Sequence, residues 1–338
     1  MKGRGSLSAC LAAISFLLLA TMPAHAIRIK LATLAPQNFE SSKIVKQMTD
    51  EIEAKTHGQV QFKIYYGGVK GTGRDLLLKI KAGEIQGGQF TAGEASSVCP
   101  DLRVMSIPLA FQSYDKVDFV MARMEPIFRK QLEGEGFVVL GWVEVGFAYP
   151  MSTEPIASLA DMKGKKVWVP VGNPVAKAAF EAMGVHPIPF TIADVMVALQ
   201  TGQINTVTNS FAGAVALQWY TRVKYITDKP LLYIYGLLMI TKDAFDNIPS
   251  EYQGTVKEIA GKYFAILKAD MRKNNSESRE TLIKQGLKFV PVSPANYQQL
   301  KNVIGKVNQE LIGKDFSDAA LQEMQKFTDE YRVTHPGK

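Results

Sequence analysis

The chain is poor in the residues that carry most enzyme chemistry. It has two cysteines and four histidines in 338 residues. Cys10 and His25 lie within the first 26 residues, which leaves Cys99 alone in the remainder. A lone thiol cannot close an internal disulfide, so stability must come from an apolar core. Cys99 precedes Pro100 with no His or Asp pattern nearby, and reads as a structural thiol. His57, His186 and His335 are far apart, and none has a second histidine at metal-ligand spacing. No Gly-x-Ser-x-Gly, His-Glu-x-x-His or Walker pattern is present. The stretch from Gly67 to Gly73 is glycine-rich, but its spacing is not that of a phosphate loop and it reads as a surface turn. No run of five basic residues occurs, which argues against nucleic-acid binding. There is no low-complexity tract, and no period of 20–50 residues recurs often enough for a solenoid. No metal and no cofactor are expected.

Past the first residues, no segment approaches the ~18 consecutive apolar residues of a membrane helix. The start itself reads as a secretory signal. Lys2 and Arg4 are positive, Leu7 to Ala20 is an apolar run, and Ala24-His25-Ala26 is a small-x-small cleavage site. Cleavage is expected after Ala26, which exports the mature protein. Cys10 lies inside the apolar run and not at the cleavage point, so it is not a lipidation site. Loss of Lys2 and Arg4 takes the formal charge from +7 to +5. Hydrophobic content of 46% and charged content of 21% allow two lobes with cores of their own.

One short pattern occurs twice. Residues 80–90 and 199–209 each run from an amphipathic segment through a glycine, Gly83 or Gly202, to an isoleucine two residues on and a strand-like stretch. Glycine there is a helix C-cap, so the pattern reads helix, turn, buried strand. Ile27 to Leu31 alternates as a strand, and Ile44, Met48 and Ile52 form a helix stripe that Ser41 or Ser42 can cap. A second strand follows over Val60–Ile64 and a helix over Asp75–Ala82. The opening is therefore β-α-β-α-β, an α/β doubly wound plan. A long helix is expected over Asp115–Glu133 and a strand over Phe137–Trp142, broken at Glu144 to Gly146. Further strands fall at Lys166–Pro170, Ile204–Thr208 and Leu231–Thr241. The tail is helical over Pro249–Gln285, Pro294–Leu311 and Asp318–Arg332. The first of these is long enough to span two lobes.

Several stretches in register resemble one family. Lys63-Ile64-Tyr65-Tyr66-Gly67-Gly68, Ile107-Pro108-Leu109-Ala110-Phe111, Met162 to Val169 and Ala198-Leu199-Gln200-Thr201-Gly202-Gln203-Ile204-Asn205 follow its order and spacing. On these the chain resembles the periplasmic solute-binding proteins of tripartite ATP-independent (TRAP) transporters, the DctP-like family. The resemblance implies a two-lobed periplasmic binding protein fold with a ligand cleft between the lobes. Lobe I takes 27–147 plus about 236–275, and lobe II takes 148–235 plus about 276–332. The expected function is receipt of a small organic solute by hinge closure and its delivery to TRAP-type permease subunits.

One departure concerns the ligand. The family's strand after Gly164 normally presents an arginine that grips a carboxylate in a bidentate pair. Trp168 stands at that position, with one N–H donor and a flat apolar face. A subgroup associated with tetratricopeptide-repeat partner proteins resembles this chain in that respect. Strand ends supply the other ligand-binding candidates: Thr33; Gln89, Phe90 and Thr91; Asn209 and Phe211; and Trp142, Glu144 and Phe147 at the lobe crossing. The set is rich in aromatics, amides and hydroxyls, and suits a neutral, apolar or aromatic solute. The alternatives are a carboxylate receptor using other polar groups, a binding protein of an ATP-driven importer, or a secreted hydrolase. For the hydrolase, Glu144 is the one acidic nominee, with no partner evident in the sequence.

Overall fold

The computed structural model describes residues 26–336, so the expected signal peptide, Ala26 aside, lies outside the described residues. The chain opens β1 (Ile27–Ala32), α1 (Glu40–Lys55), β2 (Val60–Tyr65), α2 (Gly73–Lys81), β3 (Gly87–Thr91) and α3 (Ala92–Ala95). A 3-10 turn over Pro100–Ser106 leads to α4 (Tyr114–Gly134) and β4 (Phe137–Ser152). Then come α5 (Leu159–Met162), β5 (Trp168–Pro170), α6 (Pro174–Ala182), β6 (Ile188–Phe190), α7 (Val195–Gln200), β7 (Thr206–Asn209) and α8 (Phe211–Ala216). The chain closes with β8 (Tyr225–Thr227), β9 (Leu232–Thr241), α9 (Lys242–Asp246), α10 (Ser250–Lys284), β10 (Lys288–Val290), α11 (Pro294–Leu311) and α12 (Asp318–Thr334).

Both copies of the repeated pattern fold alike. α2 ends at Gly83 (φ +74°) and leads into β3, and α7 ends at Gly202 (φ +68°) and leads into β7. Each glycine sits in the left-handed region that an L side chain avoids. β1, β2 and β3 are parallel, as a doubly wound opening requires, and β3 then pairs antiparallel with β9. In α1, Ile44, Met48 and Ile52 are buried as the stripe predicts. The helix begins at Glu40, however, with Phe39 in the cap position and no side-chain cap. Ser42 therefore lies inside the first turn and is buried.

The strand expected to stop at Trp142 does not stop. β4 runs on to Ser152 and absorbs the Gly-rich stretch as a bulge between Glu144 and Gly146. Up to Ala148 it pairs with β9, and from Tyr149 it pairs with β7 and β8. One strand thus carries the sheet from one lobe to the other. Gly146 has φ +108°, and a Cβ there would meet Asn275 Nδ2 at 2.8 Å and the Tyr114 hydroxyl at 2.9 Å. Gly146→Ala is expected to cost about 1–3 kcal/mol through backbone strain and crowding. Urea unfolding will read it; a midpoint equal to wild type would show that the bulge relaxes freely.

α10, 35 residues long, spans both lobes. Val256 to Leu267 pack with α1 and β1, whereas Leu282 packs in a cluster with Trp168, Val195, Val207 and Trp219. Within the 276–332 tail, α12 packs against α4. Two polar ties fix it there: Asp101 accepts from the Ser317 backbone N–H (2.7 Å) and hydroxyl (2.9 Å), and Arg103 pairs with Asp315 at 3.2 Å.

Candidate functional site

β1, β2 and β3 are mutually parallel, as are β5 and β6. On the lobe I side, β1 ends at Ala32, just before Thr33, and β3 ends over Gln89–Thr91. The Thr33 hydroxyl donates to Gln89 Oε1 at 3.0 Å and accepts from the Ala35 N–H at 3.1 Å. Gln89 keeps its amide N–H groups for another acceptor. Thr91 caps α3 in a reciprocal box: its hydroxyl accepts from the Glu94 N–H and the Glu94 carboxylate accepts from the Thr91 N–H. On the other side, β5 and β6 end at Pro170 and Phe190, and Asn173 caps α6. The two lobes approach where α3 meets α6. A Cβ at Gly93 would stand 3.9 Å from Asn173 Nδ2, and Val175 packs into the cluster built on α3 and α4.

Trp168 is 6% exposed. Its indole N–H donates to the Phe190 carbonyl at 3.0 Å, and its ring meets Trp219 edge-on at 5.2 Å. Val167 and Val169, on either side of it, fall into a different cluster, with Ala179 and Phe180 of α6, so Trp168 faces the opposite side of the strand. Asn209 and Phe211 share the Trp168 cluster's neighbourhood. Asn209 pairs with Tyr149 across β4 and β7, and its Oδ1 accepts from the Ser210 N–H at 2.8 Å, which leaves Nδ2 as a donor. Phe211 stacks on Tyr149 at 4.2 Å and 15° and meets Phe289 at 5.8 Å.

Phe90 and Trp142 are brought together inside lobe I and not with Trp168. Phe90 is fully buried in the α3–α4 cluster, and Trp142 is half-buried between Phe128 (6.0 Å) and Tyr235 (6.1 Å). Phe147 lies at the crossing, 4.9 Å from Tyr114 and 5.7 Å from Tyr233.

Glu144 does have partners. Arg272 of α10 donates from Nε to Glu144 Oε1 (2.7 Å) and from Nη2 to Oε2 (2.8 Å), and the Tyr233 hydroxyl donates to Oε2 at 2.9 Å. The same guanidinium forks onto Asp118 of α4 at 2.8 and 2.7 Å and lies 4.3 Å over the Tyr114 ring. Burial alone would lower the Arg272 pKa, but the two carboxylates outweigh it and hold the group charged. Burial pushes Tyr233 well above the ordinary phenol range, with the Glu144 charge adding to it, and Tyr114 up to about 12. Asn275, one turn on, donates to the Val145 carbonyl at 2.9 Å and accepts from the Ala212 N–H at 3.1 Å. These groups tie α10, α4, α8 and β4 together at the lobe crossing. Both Glu144 oxygens are thus engaged within the protein, by Arg272 and Tyr233. Among the described residues, no three His, Cys, Asp or Glu side chains converge as a metal site.

Sequence reasoning missed Arg272, Asp118 and Asn275, which sit on exposed-looking helix positions more than 60 residues from their partners. It also missed Tyr149, which alternation carried through the bulge would have found.

A family model described as bacterial extracellular solute-binding protein, family 7 (DctP), matches residues 31–315. A solute-binding protein of Chromohalobacter salexigens is 22% identical over 268 residues, covering 79% of this chain and 80% of that one. A TRAP periplasmic solute-binding protein of Ochrobactrum anthropi, whose C-terminus is bound in its ligand pocket, superposes with a TM-score of 0.83 at 21% identity. That likeness covers 92% of this chain and 98% of the other. An extracytoplasmic solute receptor of Bordetella pertussis that binds pyroglutamic acid gives a TM-score of 0.82 at 20% identity, covering 90% and 100%.

Proposed function

Because the chain belongs to the DctP family of bacterial extracellular solute-binding proteins, the receptors of TRAP-type transport, we propose that its solute is a neutral molecule with an apolar or aromatic body. The chain is a receptor and not an enzyme. The observation that carries the ligand reading is Trp168, at the strand position where the resemblance places a carboxylate-gripping arginine. Its only donor is spent on the Phe190 carbonyl. Arg272, at the crossing, is committed to Glu144 and Asp118. Tyr149 and Phe211 add a stacked aromatic pair beside Asn209. A charged carboxylate needs a cation or several donors to replace its hydration, and this set is better suited to apolar contact with few hydrogen bonds.

On this reading residues 27–147 with about 236–275 form one lobe, and residues 148–235 with β10 and α11 belong to the other. The partners are TRAP-type permease subunits and, on the subgroup likeness, a periplasmic tetratricopeptide-repeat protein. Export with cleavage after Ala26 places the receptor in the periplasm.

Two measurements test this. Mass spectrometry of solute co-purified with the protein, followed by a thermal-shift panel, should find neutral apolar compounds that stabilise the fold without turnover. At 100 times its dissociation constant a solute adds about 2.7 kcal/mol. A panel in which only dicarboxylates or sugar acids stabilise the chain rejects the apolar reading. Small-angle scattering should show the radius of gyration falling as the lobes close on saturating solute. An unchanged radius counts against hinge closure.

A further inference from the structure

Beneath the first turn of α1 lies a small crevice of about 10 Å³, lined by four polar residues, Thr33, Ser42, Tyr66 and Gln89, and by five apolar ones from β1, α1, β2 and β9. Ser42 is 4% exposed, and its hydroxyl has no hydrogen-bond partner. A buried hydroxyl without a partner forfeits its hydration for nothing, and such a group points to a missing oxygen or nitrogen. The turn above it is also uncapped by any side chain, because Phe39 holds the cap position. Thr33 donates to Gln89 Oε1, so the amide N–H groups of Gln89 remain for an acceptor. The crevice lies at the carboxyl ends of parallel β1 and β3, where ligands of open α/β sheets sit.

We infer that this crevice is a socket for one neutral oxygen of the solute, a hydroxyl or carbonyl. It rests on the apolar-solute reading above and adds the polar end of that solute. The volume is at the threshold for a single water-sized atom, so a two-oxygen carboxylate does not fit. The nearby lysines of α1 offer no free charge, since Lys43 pairs with Glu40 and Lys46 with Asp50. In the free receptor a water can fill the same place, and the solute oxygen displaces it.

The test uses the mature chain with four ring-matched probes: toluene, benzyl alcohol, benzaldehyde and benzoate. Calorimetric titration should show the alcohol and aldehyde binding about tenfold tighter than toluene, with benzoate no tighter than toluene; this is the gain from one hydrogen bond to a buried partner. In Ser42→Ala and Ser42→Val the alcohol-to-toluene ratio should fall to about one. Ser42→Ala should not melt below wild type, because it removes an unpaired hydroxyl from a helix. Equal binding of toluene and benzyl alcohol to wild type, or a preference that survives in Ser42→Val, overturns the socket and leaves the apolar reading standing. An ordered water that stays on Ser42 in a crystal of the benzyl alcohol complex also overturns it. Failure of all four probes to bind wild type overturns the apolar reading and the socket together.

Discussion

Arg272→Met is expected to lower the stability of the mature chain by about 3–5 kcal/mol, the usual cost of removing one partner from a buried ion pair. The reason lies in its partner. Glu144 is 3% exposed, and without Arg272 it keeps the Tyr233 hydroxyl alone. A buried carboxylate held by one neutral donor remains poorly compensated. Asp118→Asn should cost far less, about 1 kcal/mol or under, because its side chain is 39% exposed and its pair is screened by water. The pH dependence of that smaller effect has a definite sign. Burial raises the Asp118 carboxyl, but the Arg272 and Lys268 contacts overcome this and hold it below the ordinary value. A depressed folded pKa gives stability that is complete above the unfolded value, about pH 4, and is lost as pH falls through the folded one. Asp118→Asn should therefore converge on wild type in acid. The double change Arg272→Met with Glu144→Leu should recover part of the loss, since an apolar pair can replace a buried ion pair but leaves the buried Tyr233 hydroxyl without its acceptor. Urea unfolding at neutral pH decides the matter. A loss under 1 kcal/mol for Arg272→Met would mean that water reaches Glu144 at the crossing.

The same network shows what a reading of the sequence alone could and could not reach. Local signals were strong where one element supplies them. The glycine C-caps at Gly83 and Gly202, the Ile44–Met48–Ile52 stripe and the 35-residue α10 were all legible from spacing. The break placed at Glu144–Gly146 failed because a bulge and a strand end share the same glycine-rich signature. Only the pairing partner, β9, distinguishes them. The cap placed at Ser41 or Ser42 failed for a related reason. Cap chemistry favours serine, but the apolar stripe and the turn at Pro36 start the helix two residues earlier and turn Ser42 inward. The Arg272–Glu144 tie spans 128 residues, and nothing local marks it. The aromatic candidates divide on similar grounds. Trp168, Asn209 and Phe211 sit together because β5 and β7 neighbour one another through the Val167–Thr206 bridge. Phe90 and Trp142 pack elsewhere, since an aromatic at a strand end is equally at home in the core.

Trp168→Ala is expected to bring two coupled losses. Trp168→Ala should cost about 3–5 kcal/mol of stability, because the ring fills space against Trp219 and Val195 and leaves a cavity when removed. It should also weaken solute binding by about 2–4 kcal/mol if the exposed edge of the ring forms the cleft wall. Trp168→Phe separates the two. It keeps most of the apolar surface and loses the bond to the Phe190 carbonyl, so it should cost about 1 kcal/mol in folding and less than tenfold in affinity. Calorimetry must be run with the co-purified solute well below each variant's melting temperature. Wild-type affinity in folded Trp168→Ala would make the residue pure core and remove the main support for an apolar solute. Trp168→Arg closes the argument from the other side. The resemblance implies an arginine on this strand, but here the guanidinium would enter a site only 6% exposed and built around Trp219. Its charge needs a partner there. The variant should melt below wild type when free and regain stability when a carboxylate such as pyroglutamate is added, whereas the same compound should leave the wild-type melting temperature unmoved. Stabilisation of wild type by pyroglutamate equal to that of the variant would show that the receptor already holds carboxylates without an arginine at this position.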